Sequence, residues 1–210
     1  MLVSNHVKDI RMVGEHGMLI EAADADCVHR LTAWVRAQPC ARQLTEIIPA
    51  AETLFLLGDL KALKYLGIVI KTAHLPELDR VQTRTIVVPV KYDGMDLNDV
   101  AERTGLKLTE VVKEHSRGEH WVAFFGFSAG MALFSGVPDC LLLPRRVTPR
   151  TRVPAASVAI ANEYTVIYPE GSPGGWNVIG TCAGPPLWDC SAQPPNKVNV
   201  GDRIIFEEVR

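Results

Sequence analysis

The stretch Thr165-VIYPEGSPGGWNVI-Gly180 shows the pattern that decides the fold of the second half of this chain. Two short apolar runs flank a segment rich in glycine and proline, and short β-branched runs between such turn signals are typical of strands. Similar runs occur at residues 122–127, 157–161, 165–168, 176–179 and 203–209. Regularly spaced short strands of this kind predict a β-barrel or a β-sandwich.

The first half of the chain alternates between strand and helix patterns. Asp24 and Asp59 each precede apolar residues at helical spacing, so each is predicted to cap a helix, and Pro39 ends the first of these helices. Strands are predicted at residues 10–12, 18–20, 44–48 and 53–57. Together these elements predict a small α/β sandwich.

A polar segment, residues 72–84, separates the two patterns and is predicted to connect two domains, residues 1–83 and 84–210. After it, the sequence predicts a strand and two short helices, at residues 86–90, 96–103 and 109–115. The predicted fold class is therefore α+β, with an α/β sandwich first and a mainly β domain second.

The composition is that of a globular protein in a reducing compartment. The 210 residues are 47% hydrophobic, and a net charge of −2 gives no reason to expect nucleic acid or an anionic membrane as a partner. The five cysteines form no C-x-x-C pair, so neither a disulfide framework nor a metal site is expected. Residues 1–9 lack the apolar run of a signal peptide, and glycine and serine interrupt the uncharged residues 121–138. We therefore predict a cytoplasmic protein.

A cluster of positive charge lies in one segment stiffened by prolines, and its arginines are Arg145, Arg146, Arg150 and Arg152. Planar guanidinium groups suit carboxylate or phosphate, so an anion site is one interpretation. The alternative is a solvated basic edge of a strand pair. No aromatic residues alternate with the arginines, which disfavours nucleic acid as the ligand.

Two further motifs have both a functional and a structural interpretation. Ser172-Pro173-Gly174-Gly175-Trp176 is a glycine-rich segment whose backbone amides a ligand could approach closely, although a wide hairpin explains it equally. His115 and His120 flank a charged turn between a helix and a strand. An unperturbed histidine has a pKa of about 6.5, which suits a general acid or base, and a cap at the helix C-terminus is the alternative.

Gly126-Phe127-Ser128-Ala129-Gly130 matches G-x-S-x-G, the nucleophile elbow of serine hydrolases. In that fold the histidine of the triad follows the serine, whereas all six histidines of this chain precede Ser128. The order disfavours such a hydrolase, and a tight turn between a strand and a helix is expected instead.

Taken together, these motifs resemble one family. Its pattern appears here as His115, Gly126-Phe127-x-x-Gly130, Pro144-Arg145-Arg146-x-x-Pro149-Arg150 and Ser172-Pro173-Gly174-Gly175-Trp176, in that order. The chain resembles the KipI-type proteins, the B subunits of prokaryotic 5-oxoprolinase, which are also called allophanate hydrolase subunit 1 and belong with the carboxyltransferase subdomains C and D. The resemblance covers nearly the whole chain.

The resemblance implies a ferredoxin-like N-terminal α/β sandwich followed by a cyclophilin-like β-barrel. It also implies two protein partners, the KipA-type C subunit of 5-oxoprolinase and the A subunit, which is of the LamB/YcsF type. In that family the assembled enzyme binds ATP and hydrolyses it while opening 5-oxo-L-proline to L-glutamate, and we expect the isolated subunit to be inactive.

The resemblance gives each motif an expected role. His115 becomes a candidate acid or base. Substrate or anion binding is expected of Arg145, Arg146, Arg150, Ser172, Gly174, Gly175 and Trp176. The wall of the cleft is expected to contain Gly126, Phe127 and Gly130. No metal is expected, and the resemblance assigns no residue of this chain to ATP.

The chain departs from the usual family pattern at Ala129, Met131 and Thr181, where proline, phenylalanine and arginine are usual. These changes remove a rigid bend, an aromatic ring and an anion ligand from the expected cleft. Two other interpretations therefore stay open. One is a non-catalytic inhibitor of a sensor histidine kinase, as one KipI-type member is, and the other is a carboxyltransferase-like module that acts on a biotin carrier.

Overall fold

The structure, a computed structural model, describes residues 6–77 and 84–210. The chain divides into two compact units, one within Met1–Arg80 and one within Val81–Arg210. Both units combine strands with helices, as the α+β prediction requires. The predicted domain boundary lies between residues 83 and 84, and residues 78–83 of the predicted connector fall outside the described residues.

The first unit is a four-stranded antiparallel sheet with two helices. Its strands are Val7–Val13 (β1), Gly17–Ala22 (β2), Leu44–Pro49 (β3) and Thr53–Gly58 (β4), and its helices are Ala25–Arg36 (α1) and Leu60–Val69 (α2). The order across the sheet is β1-β2-β4-β3. The sequence predicted all six of these elements at nearly the same positions.

The two predicted caps explain where the helices of the first unit begin. Asp24 accepts a hydrogen bond from the amide of Cys27 at 2.7 Å, and Asp59 accepts one from the amide of Lys61 at 2.8 Å. The apolar faces of both helices pack with the sheet in one buried core, in which Leu31 is fully inaccessible to solvent. Burial of such a side chain stabilises the unit by about 2 kcal/mol.

The second unit contains nine strands and two helices among its described residues. The strands are Thr85–Lys91 (β5), His120–Phe125 (β6), Ala132–Ser135 (β7), Arg150–Val153 (β8), Ser157–Ala161 (β9), Tyr164–Ile167 (β10), Ser172–Gly174 (β11), Asn177–Cys182 (β12) and Arg203–Glu208 (β13). The helices are Leu97–Thr104 (α3) and Leu108–Arg117 (α4). All but β8 and β11 form a closed barrel with the order β10-β7-β6-β13-β5-β12-β9, so a barrel is the correct one of the two predicted architectures.

Strands β8 and β11 pair with each other outside the barrel. Their sheet covers the outer face of nearby barrel strands, and this explains why β9 is buried along its whole length. Val158 and Ile160 belong to the core inside the barrel, whereas Ala159 and Ala161 join a second cluster with Val153 of β8. A strand buried on both faces shows a continuous apolar run instead of an alternating pattern.

The structure corrects the prediction for the segment that contains Ser128. A tight turn was expected to lead from a strand into a helix, but the turn joins the antiparallel strands β6 and β7 in a hairpin. Met131 and Ala132, which follow the turn, are buried as parts of two different apolar clusters, and this two-sided burial favours a strand.

A glycine lets the chain approach β12 closely just before α3. A Cβ atom at Gly94 would lie 2.2 Å from the carbonyl carbon of Ile179, so a larger residue would displace the backbone. Two residues later, the amide of Asp96 donates a hydrogen bond to the carbonyl of Val178 at 2.9 Å. The start of α3 is thereby fixed beside β12, and the side chain of Asp96 is brought into the barrel wall.

None of the described helices combines the length and the apolar character that crossing a membrane requires. The five cysteines are all free thiols in the structure: Cys27, Cys40, Cys140, Cys182 and Cys190.

Candidate functional site

The arginine-rich and glycine-rich segments meet in space. The arginine segment forms a loop at residues 144–149 and then strand β8. The amide of Arg146 in this loop donates a hydrogen bond to the carbonyl of Gly175 at 2.7 Å, and β8 pairs with β11 of the glycine-rich segment. The two motifs that the resemblance assigns to one cleft are therefore neighbours.

Asp96 lies at the centre of the charged cluster, and its side chain is only 3% exposed. Its Oδ1 accepts a hydrogen bond from Nη1 of Arg146 at 2.7 Å. Both terminal nitrogens of Arg150 donate to the same carboxylate, in a bidentate pair with Nη1 to Oδ2 at 2.8 Å. The amide of Val178 also donates to Oδ2, at 2.7 Å. One buried carboxylate therefore joins two arginines to strand β12.

This pairing was not predicted from the sequence, where no acidic residue lies near the arginines. The side chains of Arg146 and Arg150 remain 30% and 24% exposed, so each of them contacts Asp96 and is also partly open to solvent. The pKa of Arg150 is raised, chiefly by its hydrogen bond to Asp96. The predicted role of these two arginines in anion binding stays a prediction, since both already have an internal partner.

Arg145 is exposed and has no carboxylate partner in the described part of the chain. Its Cζ lies 5.5 Å from the centre of the Trp176 ring, within the range of a cation–π contact. Trp176 is only 9% exposed and so provides a fixed surface. The structure thus presents one guanidinium group at the surface against a rigid aromatic ring.

Asn177 attaches the arginine loop to the barrel, and it is fully buried. Its Nδ2 donates hydrogen bonds to the carbonyls of Pro144 and Ile160, both at 3.1 Å. Its Oδ1 accepts a hydrogen bond from Nη1 of Arg103 at 3.0 Å, and Arg103 also pairs with Asp99 at 3.3 Å. The loop that carries Arg145 is consequently fixed at its first residue.

Gly174 of the glycine-rich segment has a structural reason to be a glycine, whereas Gly175 has room for a Cβ atom. A Cβ atom at Gly174 would lie 2.2 Å from the hydroxyl of Tyr168, and one at Gly175 would touch Pro149 at 3.6 Å. Burial raises the pKa of Tyr168, against the opposing effect of the nearby arginines. Tyr168 fills the space that a side chain at Gly174 would need, and the role of Gly174 in ligand binding stays a prediction. Ser172, in the same segment, has a buried Oγ without a hydrogen-bond partner among the described residues.

The residues predicted to line a cleft wall have different surroundings. Gly126 and Phe127 follow β6, and Phe127 is 77% exposed with a φ of 72°. A left-handed backbone costs a residue with a side chain about 1 kcal/mol or more. Gly130 has the same φ of 72° but faces inward, where a Cβ atom would lie 2.0 Å from Cγ of Trp188. Gly130 lines a cavity of the barrel, and Phe127 does not.

His115 is fully buried in α4, so it is not the exposed helix cap that the sequence suggested as an alternative. Its Nδ1 lies 2.7 Å from the hydroxyl of Tyr92, and its Nε2 lies 3.0 Å from the hydroxyl of Thr165. Burial, and then the proximity of His120, hold the pKa of His115 well below 6.5. Both nitrogens are occupied inside the core, so the acid or base role of His115 stays a prediction without geometric support.

His120 belongs to the same buried group. Its Nε2 donates a hydrogen bond to the carbonyl of His115 at 2.9 Å, and burial lowers its pKa. Burial also raises the pKa of Tyr92 to about 12. Across residues 6–77 and 84–210, no three histidine, cysteine, aspartate or glutamate side chains lie close enough together to hold a metal ion.

Sequence reasoning missed Asp96, Asn177 and Tyr168 as parts of the site. Asp96 stands directly before α3 and resembles an N-cap residue, but its side chain makes no capping hydrogen bond. The only signal in the sequence was a charged residue between two apolar ones, Met95 and Leu97. Nothing in the local sequence shows that its partners are Arg146 and Arg150.

Residues 8–198 match the family described as carboxyltransferase domain, subdomain C and D. The chain is similar to the B subunit of 5-oxoprolinase from Haemophilus influenzae, with 41% identity over 128 residues that cover 60% of each protein. It is also similar to the B subunit of 5-oxoprolinase from Bacillus subtilis, with 29% identity over 223 residues that cover 95% of this chain and 92% of that protein. The match therefore spans less than two thirds of the first relative and nearly all of the second.

Two solved structures share the fold. The crystal structure of TTHA0988 is 34% identical with a TM-score of 0.75, and the match covers 96% of this chain and 40% of that one. The urea amidolyase of K. lactis is 16% identical with a TM-score of 0.73, and the match covers 95% of this chain and 15% of that one. In both structures the matching fold is one part of a much longer chain.

Proposed function

Because this chain belongs to the carboxyltransferase domain family, subdomain C and D, we propose that it is one component of an ATP-dependent complex that cleaves an amide bond. The proposed substrate is 5-oxo-L-proline, which the complex opens to L-glutamate while ATP and water become ADP and phosphate. Support comes from relatives named as B subunits of 5-oxoprolinase, one of which aligns with 95% of this chain. We propose that the isolated chain is inactive.

The setting of Arg145 is the structural observation that carries this proposal. A lactam carbonyl is a poor electrophile, and transfer of a phosphoryl group to its oxygen makes attack by water feasible. The substrate carboxylate and the phosphate are both anions, which guanidinium groups bind well. Arg145 is exposed, rests on Trp176 and has no carboxylate partner among the described residues, so it is available to such an anion.

Arg146 and Arg150 support the site in a different way. Both bind Asp96, whose single negative charge offsets one of the two positive charges. The three residues therefore keep a net positive charge, and they fix the loop on which Arg145 stands. We assign Asp96 a positioning role, because it is buried and reaches a ligand only through the arginines.

We assign ATP to the assembled complex and not to named residues of this chain. The glycine-rich segment is not assigned to a nucleotide, because it lacks the Gly-Lys-Ser/Thr sequence of a phosphate-binding loop. No step of the proposed reaction therefore depends on a nucleotide held by this segment.

We further propose that the partners are the KipA-type C subunit of 5-oxoprolinase and its LamB/YcsF-type A subunit, and that the complex is cytoplasmic. The name of the relatives supports this proposal, since a B subunit implies further components of the same enzyme. Phe127 offers an exposed aromatic side chain that a protein partner could cover, since it is 77% exposed.

The same observation at Phe127 favours one second candidate function, a KipI-like inhibitor that acts by contact without catalysis. The two candidates differ in what the complex does once it has formed. An inhibitor needs the exposed turn and not the charge of Arg145, whereas the enzyme needs both.

We also infer the finer classification of both units. The ferredoxin-like order is βαββαβ, and moving its last strand to the front gives ββαββα. This is the order of elements in the first unit, which supports a ferredoxin-like sandwich with rearranged connections. The closed barrel of the second unit supports the cyclophilin-like description.

Reconstitution tests the proposed function. The chain is co-expressed with its KipA-type and LamB/YcsF-type partners, and glutamate release from 5-oxo-L-proline is measured with and without ATP. We expect release that requires ATP and all three proteins. A well-formed complex without turnover would contradict the enzymatic proposal and favour the inhibitor.

A further inference from the structure

A cavity of about 120 Å³ opens at one mouth of the barrel and has no part in the proposed reaction. It lies where β7 and β9 begin and where β10 and β12 end. Three inward-facing side chains of the barrel core form its floor: Ala132, Phe134 and Ile167. Since these side chains have no polar atoms, a water molecule on this floor would find few hydrogen-bond partners there.

A loop covers this mouth of the barrel. It runs from the end of β12 toward β13, and Leu187 and Trp188 of this loop line the cavity. Trp188 lies against Gly130, where a Cβ atom would be 2.0 Å from Cγ of the indole. The loop also closes on itself, because the amide of Lys197 donates a hydrogen bond to the carbonyl of Leu187 at 2.8 Å. The loop is therefore held together above the barrel mouth, and Leu187 packs from it against the barrel core.

The size and the lining of the cavity define the occupant. Protein interiors are packed closely and contain few voids larger than a water molecule. A dry apolar cavity of roughly 150 Å³ is large enough to bind benzene. We propose that the barrel mouth, beneath Trp188, binds a compact apolar ring of a small molecule. This site adjoins the anion site proposed for Arg145 through Tyr168, which lines the cavity and also lies beside Gly174, but it does not depend on the proposed function.

The reactivity of the Cys182 thiol can show whether the cavity is occupied. It lines the cavity and is half-buried, whereas Cys140 and Cys190 are exposed and do not line it. A ring bound in the cavity shields the Cys182 thiol from an alkylating reagent, because only the empty protein reacts. The exposed thiols are unaffected by such a ligand and act as controls within the same molecule.

The first test uses fluorobenzene with the full chain and needs no substitution. Alkylation of each cysteine by N-ethylmaleimide is followed by peptide mass spectrometry. We expect alkylation of Cys182 to slow by about fivefold when fluorobenzene is present at roughly four times its dissociation constant, with Cys140 and Cys190 unchanged. Equal rates at Cys182 with and without saturating fluorobenzene would overturn the proposal.

The second test compares two exposed alanines. Ala155 lines the cavity, whereas Ala129 lies in the β6–β7 turn and does not line it. Saturable broadening of the fluorobenzene fluorine signal is expected with the unsubstituted chain and with Ala129→Leu. It is expected to be lost in Ala155→Leu, whose larger side chain occupies the rim. Unchanged broadening in a folded Ala155→Leu variant would place the ring elsewhere and refute the site.

Discussion

Asp96 binds two arginines and a strand amide with a single buried carboxylate, so its replacement tests the positioning role directly. Asp96→Asn keeps the shape but removes the charge that Arg146 and Arg150 share. Breaking a buried ion pair on one side destabilises a protein by about 3 kcal/mol or more. We expect a loss of this size in the free energy of unfolding, measured with urea.

Asp99→Asn is the matched control for this measurement. Asp99 is 46% exposed and pairs with Arg103 and, at 3.7 Å, with Arg146. An exposed pair of this kind contributes less than about 1 kcal/mol. Equal losses in the two variants would show that Asp96 is not the residue that fixes the loop.

Arg145→Gln tests the anion site itself. The substitution keeps a long polar side chain against Trp176 but removes the charge, so the folded chain should change little in stability. In the reconstituted complex we expect kcat/KM for 5-oxo-L-proline to fall by about a hundredfold, as the loss of about 3 kcal/mol of charge-assisted hydrogen bonding implies. Arg117→Gln, on the exposed side of α4, should retain normal activity. Full activity of Arg145→Gln would remove Arg145 from the proposed mechanism.

At the scale of single residues, ligand binding by the predicted site residues stays a prediction, and the structure adds contacts that the sequence did not indicate. The arginines and Trp176 were predicted as one binding region, and Arg145 does lie over Trp176. The partner of Arg146 was not predictable, because Asp96 lies 50 residues away and nothing local indicates the contact. The hydrogen bonds of His115 to Tyr92 and Thr165 were not predictable for the same reason, and its role as an acid or base stays a prediction.

Among the elements, the β6–β7 turn and the loop that carries Trp188 depend on each other through Gly130. Gly130→Ala adds a side chain to a residue whose backbone has a left-handed conformation, and the new Cβ atom would clash with the indole of Trp188. Gly105→Ala is a close control, because Gly105 has a φ of 70° and a Cβ atom there would meet nothing within 4 Å. Gly105→Ala should lower the free energy of unfolding only by the cost of a left-handed backbone for alanine, about 1 kcal/mol.

We expect Gly130→Ala to lose clearly more stability than Gly105→Ala in urea unfolding, and to expose Trp188 to a fluorescence quencher. The difference between the two variants measures the contact between Gly130 and Trp188, since the backbone cost is common to both. Equal losses, with no change in quenching, would show that the loop does not rest on Gly130.

The elements of the first unit were predictable because their signals are local. Asp24 and Asp59 cap helices by contacts with residues two or three positions along the chain. Strands β8 and β11 were missed, since Arg150–Val153 and Ser172–Gly174 contain charged residues, proline and glycine instead of an apolar pattern. These strands form because they pair with each other, although about 20 residues separate them in the sequence.

For the whole molecule, the two buried histidines make stability depend on pH. Burial holds the pKa values of His115 and His120 below 6.5, the value expected in the unfolded chain. Well above pH 6.5 neither state binds a proton at these rings. Below it the unfolded chain binds protons first, so stability falls with falling pH until the folded pKa values are reached.

We expect the free energy of unfolding to fall by up to about 1.4 kcal/mol per histidine for each pH unit below about 6.5. Urea titrations between about pH 7.5 and pH 5 measure this slope before most carboxylates take up protons. A free energy of unfolding that stays constant over this range would contradict the burial of both rings.

The position of β5 in the barrel has a consequence for synthesis of the chain. Both neighbours of β5 in the closed ring, β12 and β13, lie far along the sequence, and Thr85 pairs with Arg203. While the ribosome is still adding those residues, β5 has two unpaired edges and no completed sheet to join. The first unit pairs its strands only with one another and can fold earlier. The nascent barrel is therefore the stage at which this protein most needs protection from aggregation.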